Sequence, residues 1–380
     1  MAIMNSVFVP VRILVLLVWP ALACMHGLAA DADAEKTALA VEALGRLQGV
    51  DVEANPKLKE AVMRVLDRTR GTANFVKLVQ QFKLAGQEAG LLEVAIAQPA
   101  GESGVAAMRL LLASGHAPVV RAALDGTNLV AATRIAEVLG NTAEKSAAQF
   151  LLPILDDTKR DVSLRKQVVR SLSKTADGAG AVLKLAKEDK LAEDLKFTAS
   201  SELNAVRWPE ILAEAARLLP PAQGQNATPL PPISELVKQR GDIANGAKIF
   251  TNASPGCANC HVVQGRGIEL GPNLSEIGTK LGKDALYEAI FEPSSGISFG
   301  FEAWSFTLKN GDEAYGLLAS ETAEEVAVKA VGGILTRVKK TEIESRQQSK
   351  LSIMPAGLQA AMTAQELVDL VEYLASLKKP

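Results

Sequence analysis

The sequence predicts a mainly α protein: an N-terminal α-solenoid over residues 31–218, then a C-terminal helical domain, 234–380, with a small antiparallel β insert. Three observations predict it. Between residues 31 and 218, apolar residues recur at spacings of three and four, as in Ala38-Val41-Leu44 and Ile135-Val138-Leu139, and no run alternates. A Pro-rich segment, 219–233, then ends this pattern and reads as an extended linker. Beyond it lie all three Tyr (Tyr287, Tyr315 and Tyr373) and the alternating run Trp304-Ser-Phe306-Thr-Leu308.

Composition excludes several classes. Of 380 residues, 48% are hydrophobic, so the chain has ample material to bury and is not disordered. Three Cys cannot staple a chain of this length into a disulfide scaffold. A formal charge of −2 argues against a nucleic-acid partner, which demands a basic surface. Any metal or cofactor chemistry must therefore use very few soft ligands, and the positions of the three Cys and three His decide the reading.

Taken from the start, residues 1–30 carry Arg12, the short apolar run Ile13–Val18 and then small residues, with Asp31 following. That order is the pattern of a cleaved secretory signal peptide. Its apolar run is too short for a membrane span, so no span is expected in the mature chain. Cys24 after Ala21-Leu22-Ala23 only faintly resembles a lipoprotein box, since Ala stands where Leu is usual. The expected destination is periplasmic or secreted, with lipid anchoring at Cys24 not expected. Cleavage near residue 30 removes Cys24 and His26, leaving Cys257, Cys260, His116 and His261.

The helices of 31–218 are divided by short breaks such as Gly126, Gly140-Asn141, Asp156-Asp157 and Asp177-Gly178. Helices of this length paired by short turns loosely resemble HEAT-type repeats. His116, beside Gly115 and Pro118, reads as a surface or capping residue.

In the C-terminal domain, Asp242 is a good N-cap for a helix in which Gly246 and Phe250 share one face. Cys257-Ala-Asn-Cys260-His261 is the c-type haem attachment motif. Two thiols one short turn apart can each add to a vinyl group of one porphyrin, and the following imidazole can take the iron. A zinc site would need more ligands than remain, and a thioredoxin-type pair would need a βαβ context. One covalent haem c is the expected cofactor, and the aromatic residues after the linker supply walls bulky enough for a large flat ring.

Around this motif the chain resembles a class I cytochrome c domain over roughly residues 234–380. Gly271-Pro272-Asn273-Leu274 looks like the family's proximal loop, which implies that the Pro272 carbonyl orients the His261 imidazole. The resemblance also implies a distant soft axial ligand, for which Ser352-Ile353-Met354-Pro355 supplies Met354; Met362 reads as packing. A final helix opens with the capping box Thr363-Ala-Gln-Glu366 and carries Leu367, Leu370, Val371 and Leu374 as a stripe, with Tyr373 beside it. The family pattern implies that Gly246, Phe250 and Tyr373 sit where the first and last helices cross.

His261 and Met354 are separated further than in small cytochromes. The extra sequence reads as strands over 304–308, 315–319, 326–330 and 334–338, with Asn310-Gly311 as a hairpin turn and the insert ending about residue 340. That arrangement resembles the planctomycete/verrucomicrobial-type haem-binding domain. The resemblance implies an electron carrier rather than an enzyme, with a redox protein partner such as a periplasmic dehydrogenase. Two other classes stay open: a haem enzyme or gas sensor with a labile sixth ligand, and an interaction scaffold that works through the helical region.

Overall fold

The computed structural model of the protein describes residues 34–47, 49–220, 230–252 and 255–379. The expected signal peptide, Cys24 and most of the Pro-rich segment lie outside the described residues. No helix among the described residues is long and apolar enough to cross a membrane. The chain divides into two compact units, one ending at Ala85 and one beginning at Gly86.

The first unit holds α1 (34–45), α2 (Pro56–Arg68) and α3 (Ala73–Phe82). Asn55 and Thr72 cap α2 and α3 by accepting from Leu58 N and Phe75 N, which supplies partners for amide groups that a helix start leaves free. Gln81 Nε2 donates to the carbonyls of Leu44 and Leu47, tying α3 to the end of α1.

The second unit opens with nine helices: α4 (Glu88–Ala97), α5 (Glu102–Ala113), α6 (Ala117–Asp125), α7 (Leu129–Thr142), α8 (Ala148–Asp156), α9 (Val162–Leu172), α10 (Ala176–Lys187), α11 (Glu193–Leu203) and α12 (Pro209–Leu218). Helices α5, α7, α9 and α11 pack side by side in sequence, and α4, α6 and α8 each pack on the helix that follows. This array follows from the 3.6-residue apolar period: Met108, Leu111, Ile135, Leu139, Val168 and Leu195 are all fully buried. No strand occurs among the described residues of this region.

After α13 (Ile233–Leu236), the haem-motif region contributes α14 (Ile243–Thr251), α15 (Ile277–Lys280), α16 (Lys283–Phe291) and α17 (Ala364–Ser376). Asp242 caps α14 through Ala244 N and Asn245 N, and Thr363 with Glu366 forms the capping box of α17. Helices α14 and α17 cross with their backbones nearly touching: a Cβ on Gly246 would stand 2.0 Å from the Asp369 carbonyl oxygen. Phe250 and Tyr373 complete the crossing with ring centroids 6.0 Å apart. Asp369 is 3% exposed, and its carboxylate accepts from Asp242 N, Asn245 Nδ2 and Gln365 Nε2 at 2.7–2.8 Å. Burial pushes this carboxyl up, but the donors outweigh it and hold it below its ordinary value.

Between α16 and α17 lies one antiparallel sheet in the order β4-β3-β2-β1-β5. Its strands are β1 (Ala303–Leu308), β2 (Glu313–Glu321), β3 (Glu325–Lys329), β4 (Leu335–Lys339) and β5 (Ile343–Gln348). The hairpin at Asn310-Gly311 joins β1 to β2, with Gly311 at φ +83°. The expected end of the insert, about residue 340, is corrected by β5, which extends the sheet to Gln348 and pairs with β1. Its sequence, IESRQQ, lacks alternation because β5 is an edge strand whose side chains, Ile343 apart, are exposed.

The division at Ala85/Gly86 differs from a boundary at the Pro-rich segment, because the helical array and the sheet share a polar joint. The Arg207 guanidinium donates to Glu313 at 2.6 Å and lies over both Trp208 and Tyr315, 4.2 and 4.3 Å from their centroids. Arg109 bonds both the Thr142 carbonyl and Thr336 Oγ1, and Lys145 N donates to Asp312. Docking of this kind joins residues far apart in sequence and leaves no mark in local composition.

Two outcomes are expected. Gly246→Ala loses about 1–3 kcal/mol from overpacking, whereas Gly180→Ala, whose Cβ meets nothing within 4 Å, gains about 0.5–1 kcal/mol; denaturant midpoints measure both. Because the folded Asp369 carboxyl titrates below its unfolded value, its contribution is complete above the unfolded value and lost as pH falls through the folded one. Asp369→Asn therefore costs about 1–3 kcal/mol near neutral pH, and its gap from the wild type narrows below about pH 4 in the same unfolding measurement.

Candidate functional site

The site is built on a short turn. Cys257–Asn259 forms a 3₁₀ turn entered through Gly256 at φ +77°, a backbone conformation that glycine adopts without strain. Cys260 N and His261 N both donate to the Cys257 carbonyl, at 3.1 and 3.0 Å. The following loop wraps back over the turn: Ile268 N bonds Ala258 O, and Leu270 N and Gly271 N both bond Cys260 O.

This loop carries Pro272 to His261. His261 Nδ1 lies 2.8 Å from the Pro272 carbonyl oxygen. A carbonyl only accepts, so Nδ1 carries the proton and Nε2 presents its lone pair. Gly271 makes the approach possible, since a Cβ there would stand 2.5 Å from the imidazole Cε1. Burial lowers the proton affinity of His261, with the Pro272 bond acting in the opposite direction. Burial also pushes the Cys257 thiol up to about 11 and raises Cys260, so both remain protonated at neutral pH.

Cys257, Cys260, His261, Pro272 and Met354 all line one cavity of about 370 Å³. Its walls are mostly apolar, drawn from Phe250 of α14, Leu286 of α16, and Leu370 and Leu374 of α17. The structure thus gathers every candidate site residue, although Pro272 and Met354 are 82 positions apart in sequence. Met362 lines the same cavity but is 4% exposed and packed into the core, while Met354 is half-buried in the loop ahead of α17. His116 stands apart at the start of α6, where its Nε2 lies 3.2 Å from Glu88 Oε1; its side chain makes no capping bond.

Sequence reasoning missed the strap between α16 and β1. Pro293, Ser295, Gly296, Ile297, Ser298 and Phe301 form part of the cavity wall. The segment has no periodicity, and only its proximity to the Met354 loop reveals it. The aromatic residues after the linker are divided between tasks: Phe250 and Phe301 line the cavity, Trp304 and Phe306 stack in the sheet at 6.4 Å, and Tyr315 joins the polar joint.

The cytochrome c family model matches residues 243–315. The chain carries a cytochrome c domain there, which implies covalently bound haem c and haem-based electron transfer. A comparison with curated proteins gives no match. The matched span begins at α14 and ends inside β2, so Met354 and α17 lie beyond it and join the site through the fold.

Gly271→Ala is expected to break the His261–Pro272 bond at a cost of about 1–3 kcal/mol. Proton NMR checks this through the Nδ1–H resonance of His261, which broadens or shifts as the proton exchanges with water. An unmoved resonance would show that the loop absorbs the Cβ.

Proposed function

We propose that this protein is a periplasmic or secreted monohaem c-type cytochrome that carries electrons rather than transforming a substrate. Cys257 and Cys260 would hold the haem covalently, and His261 and Met354 would bind its iron. The observation that carries this reading is the His261 Nδ1–Pro272 carbonyl bond inside a cavity walled by both cysteines and Met354.

The residues fit the group. Two protonated thiols, an imidazole with a free Nε2 lone pair, a thioether and mostly apolar walls match the donors and surroundings of a covalent haem. When bound, that haem supplies a one-electron couple whose potential is raised by thioether ligation. Pro272 fixes the imidazole plane and increases its donor strength by accepting a hydrogen bond from Nδ1–H. Apolar side chains from α14, α16 and α17 keep water from the ring and disfavour the more highly charged oxidised state.

The finer assignment is to the planctomycete/verrucomicrobial type of haem-binding domain, supported by the five-stranded insert between the two ligands. The preceding array is read as HEAT-like, supported by its paired helices in a continuous row. We assign it the docking of a redox protein, in keeping with a periplasmic dehydrogenase as partner.

Optical spectroscopy of the holoprotein tests the ligation. The ferric protein is expected to show the long-wavelength charge-transfer band of methionine-bound haem, and the ferrous protein is expected to bind carbon monoxide slowly at neutral pH. Met354→Ala abolishes the band and opens the iron to carbon monoxide, while Met362→Ala retains the band and loses about 2–5 kcal/mol of stability. Rapid carbon monoxide binding by the unaltered protein would favour a gas-binding site with a labile sixth ligand.

A further inference from the structure

Beyond the packing of Met354 on the core, few hydrogen bonds hold its loop to the rest of the chain. It leaves β5 after Gln348, and its first residue is still attached to the sheet, with Ser349 N donating to Ala303 O at 2.8 Å. From there to Pro355, among the described residues, one hydrogen bond joins the loop to the rest of the chain. Ser352 N donates to Ser294 Oγ at 3.0 Å, across 58 positions of sequence. Pro355 has no N–H to add another.

Both ends of that bond lead somewhere rigid or functional. Ser294 sits in the turn that closes α16, where Ser295 N and Ser295 Oγ both donate to the Glu292 carbonyl, at 2.9 and 2.7 Å. Helix α16 packs on α17, so this turn is fixed to the frame of the cavity. On the other side, Ser352 Oγ accepts from Met354 N at 3.1 Å and sets the backbone from which the thioether projects. Glu292, Pro293, Ser295, Ser352 and Met354 all line the cavity, so the bond closes two segments of one wall.

We propose that Ser294 and Ser352 are positioning residues for the Met354 thioether. Ser294 Oγ ties the ligand loop to the end of α16, and Ser352 Oγ fixes the Met354 backbone. This role rests on Met354 being the sixth ligand. A thioether is a weak, neutral ligand, so its occupancy at iron depends on how closely its loop is held in place. Loss of the Ser294 hydroxyl unties the loop from α16, and loss of the Ser352 hydroxyl releases the Met354 backbone; neither change replaces an iron ligand, a thiol or a core residue.

The test uses the full-length holoprotein and the variants Ser294→Ala, Ser352→Ala and Ser294→Thr. Stopped-flow carbon monoxide binding to the ferrous form and imidazole titration of the ferric form are the readouts, alongside the charge-transfer band and the reduction potential. Each alanine variant is expected to bind exogenous ligands roughly three- to tenfold more readily, the range that one hydrogen bond commands. Its band weakens and its potential falls, while its unfolding midpoint drops by no more than one hydrogen bond accounts for. Ser294→Thr keeps the acceptor oxygen and returns the wild-type values. Wild-type values in both alanine variants, with the band present in the parent, would overturn the positioning role. A parent that lacks the band would instead overturn Met354 ligation, and the positioning role with it.

Discussion

The close approach of α14 and α17 is the contact on which the haem region depends. With no side chain at Gly246, the two backbones meet, and the Asp369 carboxylate reaches across to the start of α14. Separating the helices by the width of a methyl group would move Phe250 away from Leu370 and Leu374, and these three residues form adjacent parts of the cavity wall. The crossing therefore sets the width of the site as well as its stability. Asp369 is a buried charge that is tolerated because its oxygens receive three donors, and without them its desolvation would be uncompensated.

Within that frame, the proximal side is fixed by backbone rather than by side chains. The loop 266–272 returns to the Cys-x-x-Cys-His turn through amide bonds to Ala258 and Cys260, and its own carbonyl at Pro272 orients the imidazole. Backbone groups cannot rotate away as a carboxylate could, so the imidazole tautomer is set by the path of the chain. Burial and the carbonyl act on His261 in opposite directions. The result is an imidazole that is neutral, oriented and available through Nε2, the form a metal requires.

Much of this was legible in the sequence because it is local. The Cys257–His261 motif, the caps at Asp242 and Thr363, and the hairpin at Asn310-Gly311 each lie within a few residues, and their chemistry acts over that range. The pairing of Gly246 and Phe250 with Tyr373 came through resemblance to a known pattern. What was not legible depends on partners distant in sequence. Strand β5 has no apolar face of its own and is a strand because β1 offers it an edge. The Arg207 stack on Trp208 and Tyr315 joins residues on opposite sides of the Pro-rich segment, and the hydroxyl of Ser294 gains meaning only once Ser352 is beside it.

The insert also solves a problem that its position creates. A sheet placed between the two candidate ligands could loosen the distance between them, yet it is fastened on both sides of the site. The Lys329 ammonium donates to the Glu269 carbonyl in the proximal loop, and Ala303 receives Ser349 at the start of the Met354 loop. The array holds the same sheet through Glu313, Asp312 and Thr336. Its two edge strands, β4 and β5, carry charge: Arg337 pairs with Glu325, and Arg346 with Glu321. A sheet protected at its edges and pinned at its ends transmits position rather than slack. The added length between His261 and Met354 is therefore compatible with a site whose two sides must keep a fixed separation.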